Sequence, residues 1–189
     1  MSHTTRVRHR GFTLVELLIV VIILAILAAI VVPQFGASTE DARVATLKTD
    51  LAQLRDAIEI YYHQHDNNYP GAIKVDGSGP VSTVGEAQTA FVQQLTRYTS
   101  RSGEVSTVKD GTHRFGPYIK TNALPPNPFT VDDTVDQDVT VDTATDDITV
   151  ASADPTPNDN TGWKFYLQTG RFIANDGQTL SDGTDTQDL

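Results

Sequence analysis

Residues 12–32 carry one charged side chain, Glu16, in a run that is otherwise almost wholly apolar, and no further charge follows before Glu40. A helix rises about 1.5 Å per residue, and roughly 20 apolar residues cross the hydrocarbon core of a bilayer. The run meets that length. A buried helix of a soluble domain would show a polar face, and this one has none. A membrane-spanning helix is therefore expected. Arg6, Arg8 and Arg10 precede the run with no acid among them. The positive-inside rule keeps that end in the cytoplasm and sends the rest across.

Glu16 is the anomaly. A carboxylate in the apolar layer costs about 2.5–3.5 kcal/mol on insertion scales and calls for a partner. The one cation nearby would be a free amine on Phe12, created by cutting after Gly11. Standing one turn up the helix, Glu16 is expected to reach its own helix start badly. The amine of a neighbouring subunit, shifted along the axis, is the better match. A Glu that merely snorkels to the interface is the alternative.

Gly11-Phe12-Thr13-Leu14-Val15-Glu16, followed by the apolar run, resembles the type III signal of type IV pilins and type II secretion pseudopilins. The resemblance implies that a prepilin peptidase cuts between Gly11 and Phe12. It implies that Phe12 is then N-methylated and that Glu16 is the assembly carboxylate. A secretory signal peptide fits less well, because the apolar core is too long and Pro33-Gln34-Phe35-Gly36-Ala37-Ser38 is a poor cleavage site. An uncleaved signal anchor explains the span but not the Gly-Phe junction or Glu16.

Beyond the run, Pro33 and Gly36 predict a kink or local melting. Ala42, Ala45, Leu47, Leu51, Leu54, Ile58 and Tyr61 or Tyr62 then recur at three- and four-residue spacing, with charges between them. This is a one-sided helix that ends near His65 and packs on a globular domain. Coiled-coil pairing is the rival, over a short repeat. The expected organisation is a leader at 1–11, a transmembrane and assembly helix at 12–35, a soluble helical half at 36–66 and a globular α+β domain at 67–189.

Asp66-Asn67-Asn68-Tyr69-Pro70-Gly71 breaks the helix. His63 and His65, two residues apart, point to different sides, so a solvated helix end is expected rather than a metal pair. Thr83-Val84-Gly85-Glu86 has capping-box spacing. Ala87, Ala90, Phe91, Leu95 and Tyr98 trace a short helix. Residues 99–114 are expected as a surface loop, with His113 at the surface. Gly116-Pro117-Tyr118 and Leu124-Pro125-Pro126-Asn127-Pro128-Phe129 read as extended. With the preceding Tyr-Pro-Gly, these segments are similar to the major pseudopilin (the G subunit) of type II secretion systems.

Val139, Val141, Ile148 and Val150 alternate with polar residues and suggest two short strands. Residues 130–160 hold nine Asp and no Lys or Arg, which reads as a solvated acidic insertion. Trp163 to Ala174 reads as a hairpin, with Trp163, Phe165 and Leu167 turned onto the long helix. The predicted class is α+β and pilin-like: a long N-terminal helix, transmembrane in its first half, packed on a small antiparallel sheet.

The net charge of −10 argues against nucleic acid as a partner. There is no Cys, so packing or a metal must hold an exported domain. Residues 175–185 are rich in oxygen ligands of the kind calcium takes. Type II major pseudopilins bind a structural calcium in their C-terminal loop, and the resemblance makes Asp176, Asp182 and Asp185 its candidate ligands here. A flexible tail is the plain alternative.

No nucleophile–base pairing, P-loop or His/Cys cluster is found, so the chain is read as the substrate of an enzyme and not as a catalyst. By resemblance the expected role is a structural subunit of a type II secretion pseudopilus. It would be anchored in the inner membrane with its domain in the periplasm. The implied partners are a prepilin peptidase and methylase, identical subunits and minor pseudopilins, an inner-membrane assembly platform, and lipid before assembly. A type IV pilin of a surface filament is the second expectation, and a monomeric anchored binding protein the third.

Overall fold

The computed structural model describes residues 12–130, 137–144 and 161–189, and of residues 30–38 the backbone alone. The chain divides into two compact units, Met1–Ala42 and Arg43–Leu189. Helix α1 (Leu14–Gln64) has 51 residues and contributes to both.

In the first unit α1 is assigned helical through Pro33 and Gly36, where a kink or local melt was expected. Among the described residues no helix is long and apolar enough to cross a membrane. The described side chains of the apolar run stop at Ala29, so the end of the predicted span lies outside them.

In the second unit α1 buries Leu47, Leu51, Leu54, Ala57, Ile58 and Tyr61. These fall three or four residues apart, or adjacent, and so share one face. Ala42 and Ala45, expected on that face, are exposed, because the core's other contributors meet α1 only from Leu47 onward. The helix stops where Asp66 (φ 54°) and Asn67 (φ 61°) turn left-handed, a conformation that these two residue types tolerate best after Gly. The Asn67 N–H closes back on the Tyr62 carbonyl at 3.1 Å.

Helix α2 (Val84–Thr96) begins at the expected capping box, where Thr83 Oγ1 accepts from the Glu86 N–H. The Glu86 carboxylate reaches back one residue further, to the Ser82 N–H at 2.7 Å. Ala87, Ala90, Phe91 and Leu95 are buried as predicted, while Tyr98 opens a strand instead. At the other end of α2, the N–H groups of Tyr118 and Ile119 both donate to the Leu95 carbonyl, which ties the 116–129 segment, bent at 118–123 where an extended chain was expected, to the helix.

Strands β1 (Tyr98–Thr99) and β2 (Val105–Ser106) pair antiparallel, so the segment expected as a plain surface loop is a small hairpin. Thr99 is fully buried and Ser100 nearly so. The larger sheet has the order β3-β4-β5, from β3 (Val139–Asp142), β4 (Trp163–Tyr166) and β5 (Arg171–Ala174). β4 and β5 form the expected antiparallel hairpin, closed by the Gly170 N–H on the Tyr166 carbonyl. β3 runs parallel to β4, with Val139 opposite Trp163 and Val141 opposite Phe165. The 20 residues at 143–162 make that possible, since a parallel partner needs a crossover of a dozen or more. The second strand expected at Ile148 and Val150, and most of the acidic insertion, lie outside the described residues.

One core joins these elements. Phe91 of α2 meets Phe165 at 4.7 Å between ring centroids, and Phe172 stacks on Trp163 at 5.4 Å. Leu51 and Leu54 of α1, Val141 of β3 and Leu124 share the same cluster. Tyr166 and Ile173, on the other face of the sheet, are also about 98 % covered (each 2 % exposed), so β4 is buried on both sides. The chain is thus α+β with a pilin-like arrangement, its helix packed on a small antiparallel pair and a mixed sheet.

Candidate functional site

The described apolar side chains of the first unit have one property in common. Leu17 is 59 % exposed, Ile19 51 %, Ile22 50 % and Leu24 59 %. These residues point in different directions around the helix, so no one face of it is set apart as buried among the described residues. A stripe packed on the chain's own domain would show alternation, as the second half of α1 does. Uncovered apolar surface of this extent marks contact with another molecule or with lipid.

At its tip stands Glu16, and the structure corrects the expectation that it cannot reach its own helix start. Thr13, the residue before the helix, donates to Glu16 Oε2 from its N–H at 2.9 Å and from its hydroxyl at 2.7 Å. Thr13 Oγ1 in turn accepts from the Glu16 N–H at 3.2 Å. This is a reciprocal capping box, Thr13-x-x-Glu16. Helical side chains tilt toward the N-terminus, which carries the third helical residue's carboxylate back over the first turn. The Thr-x-x-Glu signature lies in the sequence itself, at the same spacing as Thr83-Val84-Gly85-Glu86. Within a single chain, then, the carboxylate is already held by neutral donors, and no cation faces it among the described residues. Phe12 precedes the cap and is 80 % exposed, open to a processing enzyme. Gly11, the other side of the expected cleavage, lies outside the described residues.

The three candidate calcium ligands are each occupied within the fold. Asp176 accepts from Asn127 Nδ2 at 2.7 Å, and also from the Thr186 hydroxyl and the Gln178 N–H. Asp182 accepts from the Thr184 N–H at 2.9 Å, and Asp185 from the Thr179 hydroxyl at 2.6 Å. Among the described residues no group of three or more His, Cys, Asp or Glu is placed to hold a metal ion. What gathers the tail is Asn127 of the Asn-Pro-Phe segment. It is 2 % exposed and also donates to the Gly162 carbonyl at 2.7 Å, joining the tail to the start of β4.

Two histidines depart from expectation. His65 is no solvated helix end: it is 1 % exposed and stacks on Tyr61 at 3.7 Å. Its ring nitrogens face the Tyr61 carbonyl and the Thr99 hydroxyl. Burial pushes its pKa below the ordinary histidine value, against the hydrogen bonds to Tyr61 and Ser100, which act the other way. Sequence could not show this, because Thr99 comes from the hairpin 34 residues away. His113 does not stand alone either. Its Nδ1 lies 3.0 Å from Asp110 and its Nε2 3.7 Å from Glu104. Hydrogen bonds from the His113 N–H and ring, and from the Thr112 N–H, hold the Asp110 carboxyl down to about 2.

Residues 6–32 match the prokaryotic N-terminal methylation motif. The chain is 43 % identical over 56 residues to the type II secretion system core protein G of Pseudomonas aeruginosa, covering 30 % of this chain and 39 % of that protein. A longer match, 29 % identical over 113 residues, pairs 56 % of this chain with 72 % of the core protein G of Dickeya chrysanthemi. The type IV major pilin protein PilA of Myxococcus xanthus is 42 % identical over 59 residues, 31 % of this chain and 27 % of the pilin. In the first of these relatives the chain spans about two fifths of their length. No solved structure matches. The chain therefore carries the prepilin-type methylation motif and is similar to type II secretion core protein G and to type IV pilins, which supports a structural role of the pilin or pseudopilin kind.

Proposed function

We propose that the chain is a structural subunit of a type II secretion pseudopilus. In this reading a prepilin peptidase cuts after Gly11, the new Phe12 amine is methylated, and the N-terminal half of α1 polymerises. The observation that carries the reading is the conjunction at that helix: apolar on every side, with its described side chains exposed all round, and marked by one acid inside the methylation motif.

The capping box gives the mechanism a starting state. Before assembly the helix stands in lipid, with the Glu16 carboxylate satisfied by the Thr13 N–H and hydroxyl. Neutral donors leave its charge uncompensated in an apolar layer. A neighbour's Phe12 amine supplies the missing opposite charge, and a desolvated ion pair of good geometry is stronger than bonds to neutral groups. Assembly then exchanges lipid for helix contacts along residues 12–35. The domain beyond, in the periplasm, is carried passively. Identical subunits and minor pseudopilins are the partners in the filament, with an inner-membrane platform feeding it, and the growing filament helps push folded proteins outward. A structural calcium in the tail would draw on carboxylate lone pairs of Asp176, Asp182 and Asp185 beyond the hydrogen bonds they accept here.

A type IV pilin of a surface filament is the second reading, favoured by the match to the Myxococcus pilin over the same helix. Co-expression with a prepilin peptidase tests the common step. Intact mass should show loss of residues 1–11 and gain of one methyl group on Phe12. An unprocessed chain under conditions that process a control prepilin would overturn the reading. Electron microscopy then separates the two: long filaments sheared from cells indicate a pilus, and their absence outside the envelope a pseudopilus.

A further inference from the structure

Away from the helix, the second unit holds a pocket of about 460 Å³ that neither assembly nor folding accounts for. Tyr62, Asn67, Asn68, Tyr69, Thr143 and Gln168 supply its polar groups, and Ile73, Pro80 and Leu167 are among the apolar ones. Its size falls in the range of small-molecule sites. None of the described lining residues is charged, although the chain carries a net charge of −10. A charged ligand would find no counter-ion among them.

The aromatic part is built and held in place. Tyr62 and Tyr69 stack at 4.4 Å, and Tyr69 also meets the Phe165 ring of the core edge-on. Gly170 makes room for it: a Cβ at that position would run into the Tyr69 ring. The polar part is unspent. The Asn67 amide and the two tyrosine hydroxyls have no hydrogen-bond partner among the described residues, and Gln168 uses only its amide nitrogen, on the Thr143 carbonyl. Burial first, and then nearby Glu59, raise the pKa of Tyr69. Aromatic faces carry negative potential and attract weakly positive C–H groups. Free amides and hydroxyls pair with hydroxyl groups in either sense.

Together these features describe one ligand chemistry, and we propose that the pocket binds a neutral saccharide unit. Tyr62 and Tyr69 provide the surface for the C–H face of the ring, and the Asn67 and Gln168 amides take its hydroxyls. The site is independent of whether the chain polymerises.

The test uses the full chain in phosphocholine micelles, which contain no sugar. Saturation-transfer NMR is recorded with maltotriose and with N-acetylchitotriose, so that a plain α-glucan and a wall-type amino sugar are separate arms. Saturable binding of at least one, at about 1 mM, is expected. Asn67→Gly removes the amide at a backbone angle that Gly favours, so the fold is kept. Tyr62→Leu removes the aromatic face but keeps apolar volume. Each should weaken binding about 5-fold or more, the effect of roughly one hydrogen bond or contact. No transfer from either sugar at about 10 mM, or binding that survives either substitution unchanged, would overturn the proposal.

Discussion

The two halves of α1 are made of similar residues and live under opposite rules. Leu51 is 1 % exposed and Ile58 1 %, whereas Leu24 is 59 % exposed and Ile26 58 %. Leucine and isoleucine alone do not decide this. In the second half, charged residues such as Lys48, Asp56 and Glu59 fill the positions between the apolar ones, so the helix has a direction in which to bury itself. In the first half apolar residues fall on every side of the helix and Glu16 is the one charge before Glu40, so no single face is favoured over another. A helix of the first kind completes its own domain. One of the second kind is satisfied only by lipid or by other helices. The comparison therefore separates domain stability, which belongs to the second half, from the proposed assembly, which would belong to the first.

Truncations in the two halves should break that symmetry most strongly. Leu51→Ala is expected to destabilise the domain by about 2–5 kcal/mol, the range for emptying a buried leucine site. Leu24→Ala should change domain stability by less than about 0.5 kcal/mol. Trp163, the one tryptophan and fully buried, reports unfolding in denaturant directly. Equal effects from the two would refute the separation.

Next in size is Gln94, fully buried on α2. It accepts from the Gly71 N–H and donates to the carbonyls of Ile73 and Gly103. Gln94→Ala leaves those backbone groups without partners and should cost about 2 kcal/mol in the same unfolding experiment.

A pH dependence comes from His65. Its pKa in the folded domain is lowered by burial, so the unfolded chain binds the proton more readily. Its contribution to stability is complete above the unfolded value of about 6.5 and is lost as the pH falls below that toward the depressed folded value. Melting temperature should therefore drop on acidification through this window, and His65→Gln should flatten that part of the profile. The smallest effect on the domain belongs to the cap. Thr13→Ala should loosen the first turn of α1 by about 1 kcal/mol, seen as faster amide exchange at residues 14–17, and leave domain melting unmoved.

The same division governs what could be read in advance. Features set by neighbours in sequence were legible: the apolar run, the one-sided continuation to Gln64, the Thr83 cap and the Trp163 hairpin. Features set by distant partners were not. His65 is buried by Thr99, Tyr118 and Phe115, which arrive from later segments. β3 lies parallel to β4 because of a long connection whose path no local pattern reveals. The bonds that tie Asp176 to Asn127 and Thr186 join the tail to the Asn-Pro-Phe segment, 49 residues away, which no local pattern shows. Glu16 is the instructive case in the other direction. Its capping partner Thr13 is three residues away, and that local rule, not the cost of a charge in lipid, accounts for where the carboxylate points.

The central claim is that the uncovered half of α1 assembles through Glu16 while the domain stands apart. Glu16→Ala, expressed with a prepilin peptidase and an inner-membrane assembly platform that give filaments from the parent chain, and examined by electron microscopy beside its melting curve, tests it most directly. The account predicts a processed chain whose domain melts as the parent does and which forms no filaments. Filaments in normal number from Glu16→Ala would contradict it.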